Sequence, residues 1–569
     1  MTFPKFYARG AAIFAAVFIF TFGAAAQQAA RPNFNRAQTF DVQHYAIRTS
    51  FDRVARKVKG DTTVVLKPLK AGFASITLDA EDMIFSSVKL DGSAKKLRFR
   101  TIPGKIIVTL DKPYSPSDTV AIRFAYTASP KKGVYFADEH REDGQVLNPA
   151  QIYTQGEADE AHHWFPCFDF PSDKATTEQY LTVKKGETVV ANGELIERKD
   201  NGNGTETVHY KMSIPHSIYL LSFVIGNYAR VEDRYGDVPL GFYVYPGKED
   251  VARRAFGRTK DMMRVFEEVT GVKYPYNKYD QTVVAAFQFG GMENITATTM
   301  SDVEIFAAAQ PDATDEVDDL VSHELAHSWF GDLVTCRNWA ELWLNEGFAT
   351  FMEAVYREHA HDRDNYLAKV RNDAEIYMVG DSISPIRTGL YNLNAANTDA
   401  LFDRPETNYS KGGAVLHTLR EEIGDEAFWK AVNIYLNGHK LDSVESTDLQ
   451  AAMEEASGKK LGWFFDQWVY QGGFPRLTVA PIYDPKTGTL SVTVNQTQKA
   501  DKITPAAFRL PMELSVETAS GTRTMPLNVS KRSELFKMQI DAKPTSFVLD
   551  RQMKIPIKLA KILPMGSIG

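Results

Sequence analysis

Residues 315–358 read DEVDDLVSHELAHSWFGDLVTCRNWAELWLNEGFATFMEAVYRE. Within them His323, Glu324 and His327 form a His-Glu-x-x-His set, and Glu346 follows further along. Histidines four positions apart lie on one helix face, one turn above the other, so both imidazoles can reach a single ion. The flanks agree with a helix. Pro311 and Asp312 sit just upstream, and Asp315, Glu316, Asp318 and Asp319 crowd the first turns, where the macrodipole favours acids. Gly331 follows the apolar run as a stop. A second helix is expected over 339–358, carrying Glu346 and packing on the first through Trp339, Trp343, Phe348 and Phe351.

Two imidazoles and one carboxylate leave a zinc position open for water, the donor set of a catalytic rather than a closed structural site. His323, His327 and Glu346 are the expected ligands of one Zn2+ per chain. Glu324 lies one residue round from the first histidine, badly placed as a ligand but well placed to take a proton from the water. The competing reading is a solvated helix face with a chance pattern. Glu346, set in Leu-Asn-Glu-Gly-Phe-Ala, argues against it.

The chain has 569 residues, long enough for three or four domains, with 44% apolar and 24% charged residues, as in ordinary globular proteins. Net charge is −7 and no long basic block occurs, which argues against nucleic acid as a partner. Lys5 and Arg9 precede an apolar run over 11–22, and Ala24-Ala25-Ala26 supplies small residues for cleavage. Residues 1–26 therefore read as a signal peptide, and export to a periplasm or the extracellular space is expected. The run is short for a membrane span, so no stable span is expected in the mature chain, although a retained anchor stays open. Only two cysteines occur, Cys167 and Cys336, too few for a disulfide framework. Both sit in apolar runs, which favours buried thiols over a pair. A monomer is expected.

Short apolar or alternating runs, such as 64–66, 106–110 and 120–124, are separated by turn residues at Asp91-Gly92, Pro103-Gly104 and 201–204. They make 32–245 an antiparallel β domain. After Pro246-Gly247 the spacing turns helical, with one helical run over 250–270, then a strand-like run over 281–288 before Gly290-Gly291-Met292-Glu293-Asn294. The region 246–473 is an α-rich domain that carries the metal motif. Strand patterning returns from Pro475 and fades near Lys558, giving a small β-sandwich over 474–560. The fold class is multidomain α+β.

A second cluster narrows the chemistry. Glu293 follows two glycines that would let a substrate backbone approach closely, and Glu157 lies far upstream in Thr-Gln-Gly-Glu. Two carboxylates aimed at one point beside a metal would hold a substrate ammonium. Taken singly, each is an ordinary exposed or capping glutamate.

Gly-Gly-Met-Glu-Asn, His-Glu-Leu-Ala-His and Leu-Asn-Glu-Gly-Phe-Ala, in that order, resemble the M1 (gluzincin) family of zinc aminopeptidases. So do Gln155, Glu157 and Trp164-Phe165-Pro166-Cys167-Phe168-Asp169 upstream, and Tyr409-Ser410-Lys411-Gly412 and 468–475 downstream. The resemblance covers nearly all of the mature chain. It implies an N-terminal β saddle, a thermolysin-like catalytic domain and a C-terminal β-sandwich, without the helical-repeat domain of larger members. It also implies that Glu324 is the general base, that Glu293 with Glu157 grips the free α-amine of a peptide, and that Tyr409 donates to the tetrahedral oxyanion. Gln155 and Phe289 would shape the pocket for the first side chain. The backbone of Gly290 and Gly291 would pair with the extended substrate, and Met292 would also belong to the substrate-binding set. Two departures stand out: Gly291 replaces the family's common alanine, and Asp332 stands where asparagine is frequent.

The expected function is an exported aminopeptidase acting on peptides with a free N-terminus. A thermolysin-like endopeptidase would share the helix pair but need no amine clamp, and a non-catalytic homologue would keep only the fold. His162 and His163 read as ordinary structural histidines, His359 and His361 as helix-end caps, His417 as core, and Thr350 as a support for Glu346.

Overall fold

The computed structural model describes residues 31–310 and 313–567. The segment 1–26 expected to be a signal peptide and the Pro311-Asp312 pair lie outside the described residues. Residues 1–33 and Phe34–Gly569 form separate units, and of the first only 31–33 are described, without helix or strand.

The N-terminal part of the larger unit is β-rich. Its seven-stranded sheet runs in the order Glu194–Asp200, Thr205–Ser217, Lys174–Lys184, Phe40–Asp52, Lys57–Pro68, Val120–Ala128, Met83–Leu90. All neighbours are antiparallel except Phe40–Asp52 with Lys174–Lys184. The alternation seen in the sequence is the cause: Val120, Ile122, Phe124 and Tyr126 are buried while their neighbours are less so. Pro103-Gly104 makes the hairpin between Arg98–Ile102 and Lys105–Tyr114, with Gly104 at φ +70°. A four-stranded sheet contains Gln151–Thr154, buried along its whole length. This strand delivers Gln155 and Glu157.

A five-stranded sheet follows, ordered Ala229–Tyr235, Val238–Val244, Tyr279–Val284, Ala297–Ser301, Gly291–Met292. Gly291–Met292 is its terminal strand, antiparallel to Thr299 and Met300. The strand expected over 281–288 starts earlier and stops at Val284, because Ala286 takes a left-handed backbone (φ +55°). The single helical run over 250–270 is two helices, α1 (Glu249–Phe256) and α2 (Thr259–Thr270), broken at Gly257.

The remaining helices are α3 (Asp302–Phe306), α4 (Thr314–Ala326), α5 (Trp343–Ala360), α6 (Arg363–Ile383), α7 (Gly412–Ile423), α8 (Asp425–Gly438), α9 (Ser446–Ser457) and α10 (Gly462–Trp468). α5 begins later than 339. Asn338 accepts from the Ala340 amide and winds Trp339–Glu341 into a 3-10 turn first. Of the four aromatic residues expected to join the two helices, Phe348 stacks on Phe330, just beyond α4, at 4.2 Å between centroids. Trp339 instead meets Tyr219, Trp343 donates to Ser446, and Phe351 packs on Phe428 and Tyr366. The bidentate Arg357–Asp319 pair, at 2.7 Å for each bond, adds a polar tie between α5 and α4.

The C-terminal β region has two sheets. One joins Ser533–Gln539, Thr489–Gln496, Arg476–Asp484 and Leu559–Ile562, with Gly566–Ser567 also on Arg476–Asp484; the other joins Gly521–Val529, Leu510–Thr518 and Pro544–Leu549. Pairing therefore continues past Lys558. Cys167 and Cys336 are buried free thiols. Among the described residues no helix is long and apolar enough to cross a membrane.

Candidate active site

α4 and the start of α5 face each other across a cavity of about 600 Å3. His323 lies in the last turn of α4 and His327 is its C-terminal cap. Gly331, at φ +134°, then turns the chain, and a Cβ there would stand 3.0 Å from His327 Nδ1. Glu346 sits in the first turn of α5. Its Oε2 is 3.3 Å from His323 Nε2 and 3.5 Å from His327 Nε2.

These separations test the donor set. Ligands about 2.0–2.1 Å from a tetrahedral zinc lie roughly 3.3 Å from one another. The other ring nitrogens are already engaged: His323 Nδ1 faces Glu353 Oε1 at 2.7 Å and His327 Nδ1 faces the Phe330 carbonyl at 2.9 Å. Each Nδ1 is then the donor, which leaves both Nε2 lone pairs and a carboxylate oxygen converging on one point. Three electron-pair donors need a cation between them, so this buried group can hold a metal ion. Without an ion, protons take its place. Burial pulls the His323 imidazole down, but Glu346 and Glu353 outweigh it and push it up to about 9. Burial likewise opposes charge on His327, yet Glu293 and Glu346 raise it. Burial pushes Glu346 up, but His327 and His323 hold it at about 2.

Carboxylates crowd the same place. Glu157, Glu293 and Glu346 offer oxygens within 4.8 Å of one another, and oxygens of Glu293 and Glu324 lie within the same distance of each other and of a His327 ring nitrogen. Glu157, Glu293 and Glu324 each bury an oxygen that has no hydrogen-bond partner. Burial, then neighbouring carboxylates, raises Glu157; burial raises Glu293 against the pull of His327; burial pushes Glu324 up to about 8. Unpaired buried carboxylate oxygens are costly and call for cationic partners.

Tyr409 lies in a π-helical turn, Thr407–Lys411, that precedes α7. Gly347 and Gly412 approach so closely that a Cβ on Gly347 would be 2.9 Å from the Gly412 Cα, which draws this turn onto α5. The Tyr409 ring stacks on His323 at 5.6 Å between centroids. Burial and the surrounding carboxylates raise its phenol, so it stays a donor.

Phe289, Gly290, Gly291, Met292 and Glu293 all line the cavity, together with Glu157 and Thr350. Gln155 is not among the lining residues; its amide packs on Met292 Sδ at 3.2 Å. His162 and His163 pair with Asp169 and Asp82, away from the ligand group, and His417 is held in the core by Tyr366 and the Met553 carbonyl. His361 caps α5 and faces Asp315, and His359 meets Arg264. Sequence reading missed Glu353, Lys369, Asp373 and Phe402, which also line the cavity. Glu353 carried a usable signal, two turns after Glu346 on the same helix face.

The chain matches the peptidase family M1 domain over residues 254–468 and the peptidase M1 N-terminal domain over 41–220. It is 33% identical over 347 residues to aminopeptidase N of Streptomyces lividans, covering 59% of this chain and 39% of that one. It is 31% identical over 357 residues to aminopeptidase M1 of Arabidopsis thaliana, covering 62% and 40%. A longer match, 26% over 486 residues, covers 82% of this chain and 52% of aminopeptidase 2 of Candida albicans. The chain thus spans about half the length, or less, of these relatives.

Proposed function

The chain belongs to peptidase family M1, and on that premise we propose that it is a zinc aminopeptidase that removes single residues from the free N-terminus of peptides. The observation that carries this reading is the pair Glu157 and Glu293, with unpaired buried oxygens beside the His323, His327 and Glu346 group. An endopeptidase has no use for two such carboxylates, whereas an α-ammonium satisfies both.

His323, His327 and Glu346 would hold one zinc ion. When bound, that ion supplies a Lewis acid that polarises the scissile carbonyl and eases ionisation of water. Glu157 and Glu293 grip the ammonium and so fix which peptide bond reaches the ligand group. The terminal strand at Gly291–Met292 offers its backbone to the extended substrate, as sheet edges do. Glu324 takes the proton from the attacking water and passes it to the leaving amine. Tyr409 donates its hydroxyl to the oxygen of the tetrahedral carbon as charge develops there. The first side chain meets Phe289, with Gln155 acting from behind the wall.

The finer architecture that goes with this reading is an N-terminal saddle, a thermolysin-like catalytic domain and a C-terminal sandwich. Residues 1–26 support export to a periplasm or the extracellular space, and sequencing the mature N-terminus tests that. The function itself is tested by zinc content together with turnover of single-aminoacyl fluorogenic amides. One zinc per chain with turnover abolished by chelation supports the reading. A zinc-loaded protein without turnover leaves a non-catalytic homologue.

A further inference from the structure

The two histidines of the ligand group are held differently. His327 Nδ1 rests on a backbone carbonyl, Phe330 O, fixed by the turn after α4. His323 Nδ1 rests on a side chain, Glu353, which is itself part of a buried run of charges crossing to α6. Glu353 Oε1 faces His323 at 2.7 Å, while its other oxygen, Oε2, forms an ion pair with Lys369 Nζ at 2.9 Å. Lys369 Nζ also donates to both oxygens of Asp373, one turn on along α6, at 2.8 Å each. Glu353, Lys369 and Asp373 are buried and line the cavity.

A carboxylate bonded through one oxygen can turn about its last torsion, which is broad. With both oxygens taken, its plane is set, and so is the ring that donates to it. The neighbouring cation, Arg357, is committed to Asp319 and lies on the α4 side. Without Lys369, two buried carboxylates would face each other with no cation between them, and Glu353 would swing away from His323.

We propose that Lys369 is a positioning residue for the metal centre: by clamping Glu353 against His323 it orients that imidazole and sets how tightly the site holds its ion. The inference rests on His323, His327 and Glu346 being the ligands.

The test is zinc affinity by chelator competition on the full chain, with Lys369→Met, Lys369→Arg and Asp373→Asn. Lys369→Met is expected to weaken zinc binding about 10–100-fold, the usual cost of losing a partner that orients a ligand. Lys369→Arg is expected to restore most of that loss. At saturating zinc, kcat is expected to fall while KM for an aminoacyl amide holds, because Glu157 and Glu293 are untouched. A folded Lys369→Met with a lower melting temperature but wild-type zinc affinity would overturn the inference, since a purely structural lysine behaves that way. Should Lys369→Met not fold, Asp373→Asn decides: weaker zinc binding supports the clamp and unchanged binding overturns it. A wild-type chain that binds no zinc would instead remove the ligand assignment itself, and the inference with it.

Discussion

Gly291 and Glu324 compete for one volume: a methyl group built on Gly291 would overlap the Glu324 carboxyl and lie 2.6 Å from its Cγ. The acid sits against the strand edge because residue 291 has no side chain. Gly291→Ala should push Glu324 off its rotamer, at a cost of about 1 kcal/mol. If that cost falls on the transition state, kcat drops roughly fivefold. Steady-state kinetics check this, with zinc content expected to stay unchanged.

Removing the Tyr409 hydroxyl tests the proposed oxyanion contact. Tyr409→Phe keeps the ring on His323 and should retain zinc, while turnover falls ~10²–10³-fold, the range for one lost oxyanion donor. Near-normal turnover would take Tyr409 out of that role.

The proposed ammonium grip of Glu157 and Glu293 can be probed one carboxylate at a time. A hydrogen bond to a charged group is worth about 1.5–3 kcal/mol. Glu293→Gln or Glu157→Gln should therefore lower kcat/KM for free-amine substrates roughly ten- to hundredfold. The same variants should leave whatever residual hydrolysis is seen with N-blocked substrates unaltered.

The pH behaviour of the metal-free protein follows from its raised groups. The His323 imidazole stands at about 9 in the fold against an ordinary 6.5, and Glu324 at about 8 against 4.5. Each favours the fold while protonated. Their stabilisation is full below the ordinary values and is lost as pH rises, through about 8 for Glu324 and about 9 for His323. Melting temperature of the chelated protein should therefore fall as pH rises from about 4.5 to about 9. Zinc must displace the imidazole protons, so binding near pH 7 should release about two protons per ion and tighten with rising pH. Calorimetry in buffers of different ionisation enthalpy reads the release, and the absence of a buffer effect would contradict it.

The convergence of His323, His327 and Glu346 was legible in the sequence because its information is local: a four-residue helical repeat and a glutamate early in the next helix. The β-rich N-terminal region was legible for the same reason, since alternation is read residue by residue. Breaks within elements were harder. Gly257 divides one apolar stripe between α1 and α2, and the Asn338 side chain delays α5, both through backbone geometry that side-chain periodicity does not report. Phe402 reaches the cavity from an aperiodic stretch and packs on Phe289 at 5.4 Å between centroids, a contact that no spacing announces. The Glu353–Lys369–Asp373 run depends on α6 crossing behind α5, which only the packed chain reveals.

Mass spectrometry of one hexapeptide, supplied with a free and with an acetylated N-terminus to the zinc-loaded protein, bears most directly on a metal group flanked by an ammonium clamp. A ladder losing one residue at a time from the free peptide, with the acetylated peptide intact, is the predicted result. Equal cleavage of both, at internal bonds, would contradict it.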